Sequence, residues 1–170
     1  MKFLFIVQGE GRGHFTQAIT LEDMLLRNGH QVVEVLVGKS SSRTLPGFFN
    51  RSIQAPVKRF TSPNFLPTAE NKRADLKKSF AYNLIHVPEY FRSMCYINQR
   101  IKETGAEVVI NFYELLTGLT YALFRPSVPY VCIGHQYLFL HNHFEFPRKS
   151  VIQLSICLLY TSPSPRDMRR

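Results

Sequence analysis

Residues 2–14, Lys2-Phe3-Leu4-Phe5-Ile6-Val7-Gln8-Gly9-Glu10-Gly11-Arg12-Gly13-His14, decide the fold. The run from Lys2 to Val7 is of strand length, nearly all apolar and rich in aromatic and β-branched residues. Such a run suits a strand buried on both faces, and hence a parallel sheet. Three glycines at alternate positions follow, which lets the backbone turn sharply and bring its N–H groups close to a ligand. Phe15-Thr16-Gln17-Ala18-Ile19 then starts a helix whose N-terminus would point into the same crevice. An anionic or hydroxyl-rich molecule over the turn would meet free N–H donors, the Arg12 guanidinium and the His14 imidazole. Gly9, Glu10, Gly11, Arg12 and Gly13 are therefore candidate substrate-binding residues.

Spacing separates the readings of this turn. The dinucleotide pattern G-x-G-x-x-G, begun at Gly9, needs its third glycine at position 14, where His14 stands. The acidic residue that should close the following strand is represented only by Glu34, inside the apolar run Val32 to Val37. A phosphate loop on Gly38-Lys39-Ser40 fails as well, because its first glycine would fall on Val33.

The chain has 170 residues and a formal net charge of +9, enough for one domain of ordinary size with its own core. No stretch is long and apolar enough to span a membrane, and the short apolar start lacks a signal-peptide cleavage site. A cytoplasmic protein is expected. Cys95, Cys132 and Cys157 lack metal-site spacing, so no metal is expected, and the first two read as small hydrophobes in apolar segments. Residues 157–170 stand apart. Cys157 to Asp167 is what a sequencing-library transposon adapter encodes in this frame, so the natural sequence is expected to break off near Ile156, and the tail is left out of fold reasoning. Without its three arginines and one aspartate the charge is +7.

From the turn onward the pattern alternates between helix and strand. Ile19, Leu21, Met24, Leu25 and Leu26 form the apolar stripe of the first helix. Gly29 ends that helix, His30 starts the next strand, and Gln31 to Val37 is that strand. A polar loop, Gly38 to Arg43, leads to a helical turn around Pro46 to Phe49. Val57 to Phe60 is a short strand candidate. The prolines of Ser62 to Thr68 mark a long loop, a plausible acceptor-binding segment. Leu76 starts a helical stretch that Pro88 breaks, opening a second helix that runs to Gly105. Lys72, Arg73, Lys77, Lys78, Arg92, Arg100 and Lys102 interleave with its aromatics. A solvated helix face accounts for them most simply; the same face could rest on anionic lipid. No nucleic-acid recognition motif accompanies the charge.

Ala106 to Asn111 reads as another buried strand, with Glu114 just beyond it and a helix from Leu115 to Phe124. Pro129 to Gly134 is a last strand delivering His135 and Gln136 to the same edge. Three strand ends thus present His14, Glu114 and His135 to one side. A reaction at a bound hydroxyl needs a base near that hydroxyl, and a departing anion needs positive or N–H-rich surroundings. His14 suits the base, and Glu114 could hold its tautomer, bind acceptor hydroxyls or act as base itself. As a helix-start carboxylate, Glu114 could equally be structural.

The turn Gly9 to His14, followed by Asn28-Gly29-His30-Gln31-Val32 into a second strand, resembles the opening of a GT-B glycosyltransferase of the MurG-like class. These begin with a G-G-x-G-G-H type turn and soon reach an R-G-H-E-V type strand start. Here Glu10 and Arg12 replace two of the glycines, and Gln17 stands where a proline is common. Asn111-Phe112-Tyr113-Glu114-Leu115 and Gly134-His135-Gln136 resemble the S-D-x-E-P and D-H-Q turns of a GT-B subfamily, with Asn111 and Gly134 in place of the acids. The resemblance covers roughly residues 1–147. It implies a Rossmann-like α/β fold, a parallel sheet with helices on both faces, forming the amino-terminal, acceptor-side domain of an inverting glycosyltransferase. Residues 148–156 would begin the remainder.

The implied reaction is hexosyl or N-acetylhexosaminyl transfer from a nucleotide-sugar, a UDP-sugar by preference, to an acceptor hydroxyl. It uses no further cofactor, with His14 as base and His135 and Gln136 as binding groups. The setting implied is bacterial cell-envelope glycan synthesis in the cytoplasm or at the inner face of the membrane, on a sugar or lipid-linked acceptor. Because the donor is held mainly by the carboxyl-terminal half, the chain alone is expected to be inactive. The rival expectation is a nonenzymatic nucleotide- or sugar-binding module.

Overall fold

The computed structural model describes residues 1–9, 12–39, 44–63 and 76–134, with side chains from 78 onward in the last span. The elements lie within one compact unit, Met1–Ile133, and Gly134–Arg170 fall in a second. The expected domain boundary at 147, the loop 64–75, Glu10, Gly11, His135, Gln136 and the tail lie outside the described residues.

Five strands, β1 (Lys2–Gln8), β2 (Gln31–Lys39), β3 (Val57–Thr61), β4 (Val108–Phe112) and β5 (Tyr130–Cys132), form one sheet in the order β3-β2-β1-β4-β5. Every neighbouring pair is parallel. The expected Rossmann-like fold is therefore present. β1 is central and reads as a continuous apolar run because both of its faces are covered. Phe3, Phe5 and Val7 join one core with Val35, Val37, Phe15 and Phe49, while Leu4 and Ile6 join a second with Leu36, Ile97, Ile101 and Leu116.

The chain steps outward from β1 to β3 and then returns across the sheet to β4 and β5. Right-handed crossovers consequently put the two sets of helices on opposite faces. α1 (Arg12–Arg27) and α2 (Gly47–Ser52) cover the first core; α4 (Val87–Glu103) and α5 (Leu115–Phe124) cover the second. α3 (Leu76–Ile85) packs on α4.

Gly29 ends α1 as expected, at φ +74. The His30 N–H donates to Leu25 O and the Gly29 N–H to Leu26 O, the paired closure that a left-handed residue permits. His30 packs its ring on Phe3.

Several expectations are corrected. α1 begins at Arg12, three residues earlier than the apolar pattern suggests, so His14 belongs to its first turn. Met24 is exposed, whereas Glu22 is buried. The Glu22 carboxylate accepts the backbone N–H groups of Gln54 and Ala55, each at 2.9 Å, satisfying donors of the segment that follows α2. Arg100 belongs to no solvated face: it forks onto the buried Glu34 with two bonds of 2.8 Å, and Lys58 adds a third contact at 2.9 Å. That explains the carboxylate within the β2 run. Burial pushes the Glu34 carboxyl up, but the bonds and charges of Arg100 and Lys58 outweigh it and hold it below the ordinary value. β4 begins at Val108 rather than Ala106, and β5 stops at Cys132 rather than Gly134. Cys95 is exposed and is not a core thiol.

Candidate functional site

β1 is where the topology reverses: the segment leaving it turns to one face of the sheet, and the segment leaving its neighbour β4 turns to the other. Such a switch point opens a crevice at the carboxyl edge of the strands. Both segments carry residues singled out from sequence. After β1 come Gly9, Arg12, Gly13 and His14; after β4 comes Glu114.

Gly9 is a structural glycine. Its N–H donates to the Gly38 carbonyl at 2.6 Å, and a side chain there would press on that carbonyl and on Lys39. Its amide is therefore used by the sheet rather than offered to a ligand. Gly13 is exposed, with nothing near the position of a Cβ. Arg12 is exposed at the first residue of α1, and no acidic residue occupies that first turn. Positive helix end and guanidinium thus face outward together.

His14 is half-buried, its ring stacked on Tyr113 with centroids 6.0 Å apart and planes 17° from parallel. Tyr113 is held at φ 62, a left-handed conformation that costs a non-glycine residue about 1 kcal/mol or more. Asn111, 3% exposed, secures that turn from both sides. Its Oδ1 accepts the Glu114 N–H at 2.9 Å, and its Nδ2 donates to the Glu114 carbonyl at 3.1 Å and to Cys132 Sγ at 3.4 Å. An aspartate there would have no donor for the last two.

Glu114 is 1% exposed and caps α5, accepting the Leu116 N–H at 3.3 Å. Its carboxyl reaches across the end of β1 to the far side of the sheet edge. There Ser62, just past β3, donates its hydroxyl at 2.6 Å, and the absent side chain of Gly38 leaves the carboxyl its space. The anion-binding end of α5 is thus filled by the chain's own carboxylate. Of the roles open to Glu114, capping is the one these contacts display. Its carboxyl lies beside Gly38 and Phe60, on the α4 and α5 side of the sheet, whereas His14 rises from α1 on the opposite side.

The structure therefore brings His14 to Tyr113, while the Glu114 carboxyl, expected on the same side as His14, is directed toward Gly38 and Ser62. Sequence reasoning missed Tyr113 as the ring partner of His14, Asn111 as the clamp, and Ser62 and Gly38 as partners of Glu114. Only the first two carried a local signal, an Asn three residues before a helix cap. Among the described residues no group of three His, Cys, Asp or Glu could hold a metal ion. None of the described helices is long and apolar enough to cross a membrane.

No protein-family model and no curated protein matches the chain. Solved structures do. The glycotransferase of kitacinnamycin aligns with 77% of this chain and 29% of its own, at 15% identity and a TM-score of 0.47. MurG of Acinetobacter baumannii aligns with 77% of this chain and 34% of its own, at 17% identity and a TM-score of 0.44. The chain spans about a third of the length of these two proteins, to parts of which it is similar.

Proposed function

We propose that this chain is the acceptor-side domain of an inverting GT-B glycosyltransferase that moves a hexosyl or N-acetylhexosaminyl group from a nucleotide-sugar to an acceptor hydroxyl. One observation supports the reading above the others: His14 stands on the first turn of α1, at the switch-point crevice, with its ring backed by Tyr113. In the reaction the acceptor oxygen attacks the anomeric carbon and the bond from that carbon to the diphosphate oxygen breaks. The His14 imidazole takes the hydroxyl proton, and the nucleoside diphosphate leaves. Arg12 and the amino end of α1 supply positive potential near the departing charge. Glu114 acts by fixing the turn that carries Tyr113. Glu10, Gly11, His135 and Gln136 stay in the proposal as binding residues on their sequence positions, with the donor, a UDP-sugar, held mainly by residues of a second domain.

His14→Ala in the full-length protein should lower turnover by about 10²- to 10⁴-fold while leaving the unfolding transition in place. Unchanged turnover would remove His14 as base. The 170-residue chain by itself should transfer no sugar, and detecting transfer would overturn the division of labour.

The proposal extends to the membrane. Phe80, Leu84, Ile85, Val87, Phe91, Leu119 and Leu123 are exposed on α3, α4 and α5, and Phe91 meets Phe124 where α4 and α5 adjoin. Exposed Arg92 and Arg125 border them. An apolar area with a basic margin suits contact with anionic lipid, where a lipid-linked acceptor would reside.

The burial of Glu114 as a helix cap favours the rival, a nonenzymatic nucleotide- or sugar-binding module, since it leaves one candidate base rather than two. The His14→Ala assay separates them.

A further inference from the structure

A cleft apart from the switch point lies between β3 and α4. It encloses about 350 Å³, at the lower end of the range for small-molecule sites. Arg59 and Thr61 of β3 line one side, and Glu89, Arg92 and Ser93, a single stripe of α4 at helical spacing, line the other. Its charge is out of balance. Two arginines stand against one glutamate, and neither arginine forms an ion pair among the described residues. Glu89 and Arg92 are nevertheless three residues apart, a spacing at which helical ion pairs form.

Hydrogen-bond donors are left over on both sides of this space. The Pro56 carbonyl accepts the Val35 N–H, and the Ser62 N–H donates to the Lys39 carbonyl, both across to β2. The alternation of a parallel ladder therefore turns the N–H groups of Arg59 and Thr61 the other way, to the outer edge of the sheet. Among the described residues β3 is the last strand on that side, so no strand meets them. On the helix, Ser93 is only 6% exposed and lines the cleft, yet its hydroxyl makes no hydrogen bond among the described residues, and its oxygen is not sealed in. Buried polar groups are nearly always paired, so an open, unbonded hydroxyl at such a place marks where an acceptor is expected.

The complementary molecule carries an anionic group that can take hydrogen bonds from a strand edge, a hydroxyl and a guanidinium at once. A tetrahedral phosphoryl group offers three oxygens for this, whereas a planar carboxylate offers two. Glu89 opposes a second anionic group and accepts hydroxyl protons instead. We infer that this cleft binds a soluble phosphomonoester of a hydroxylated carbon chain, its phosphoryl oxygens on Arg92, Ser93 and the edge amides and its hydroxyls on Glu89. An anionic bilayer is a poorer match, because it would bring like charges against Glu89. The cleft lies on the α4 face and His14 on α1 at the opposite face, so the inference does not rest on the proposed transfer.

The test is an amide-resolved NMR titration of the 170-residue chain with glycerol 1-phosphate at physiological salt, with acetate and glycerol as controls. Saturable shifts at Arg59, Thr61, Arg92 and Ser93 are expected, with acetate weaker by about tenfold and glycerol giving none. Arg92→Gln should weaken binding by about ten- to hundredfold, and Arg92→Lys nearly as much, since lysine keeps the charge but not the fork. Ser93→Ala removes one unbonded oxygen, so it should keep the fold and weaken binding by about two- to tenfold. Absence of saturable shifts, shifts centred elsewhere, or parental binding by Arg92→Lys or Ser93→Ala would overturn the inference. Sedimentation with vesicles of anionic lipid that Ser93→Ala reduces, without any response to free glycerol 1-phosphate, would overturn it in favour of a headgroup site. His14→Ala should leave the titration unchanged, so failure of the transferase reading leaves the cleft assigned, and failure of the titration leaves the transferase reading standing.

Discussion

A methyl group on Gly38 would fall on the Glu114 carboxyl and within 2.8 Å of the Phe60 ring. Both are held by the core, so neither can give way freely. Gly38→Ala should therefore cost about 1–3 kcal/mol, the usual range for overpacking. Gly13→Ala makes the opposite case: nothing stands near its Cβ position and it lies in α1, so alanine should stabilise by about 0.5–1 kcal/mol. Urea unfolding of the two variants checks both signs, and equal behaviour would refute the distinction. Neither glycine could be told from the other in the sequence. The crowding at Gly38 arises from Glu114, which is remote in sequence and brought near by strand order. The position of His14 beyond the end of β1, by contrast, was legible because the turn that carries it is local.

At the scale of elements, Glu34 ties β2 to α4 through Arg100 and to β3 through Lys58. Arg100→Met would leave a carboxylate whose side chain is only 4% exposed with the half-exposed Lys58 to pair it, and a loss of about 1–3 kcal/mol is expected. Adding Glu34→Leu to Arg100→Met should recover most of it. The folded protein holds the Glu34 carboxyl below its ordinary value, so its contribution is complete above the unfolded value and fades as pH falls toward the folded one. The stability gap between the parent and Glu34→Gln should hence be constant near neutrality and shrink in acid below about pH 4.5. A gap that widened in acid would contradict the ion pair. The strands and helices themselves were legible, because continuous apolar runs and glycine stops are local signals. The exchange of Met24 for Glu22 on the buried face was not, because the fate of Glu22 depends on where the amides that follow α2 come to lie. Arg100 likewise looked like one more surface cation until β2 was laid beside α4.

Over the whole molecule, the apolar side of α3, α4 and α5 is the feature with the widest reach. Vesicles of mixed neutral and anionic lipid should sediment the chain, with binding that falls as salt rises. Phe91→Ser with Leu123→Ser should reduce it without altering far-ultraviolet dichroism; indifference to both salt and substitution would refute lipid contact. The strand order carries a different consequence, one of time. Of the five described strands β1 is synthesised first, yet it is central, and its neighbour β4 is not complete until residue 112. Until then the apolar β1 has at best one flank covered, because parallel pairing must wait for distant sequence. Nascent chains arrested before β4 emerges should therefore be cut rapidly by protease, and those arrested well beyond it should resist, so that the strand that initiates the sheet in sequence is among the last to be sealed within it.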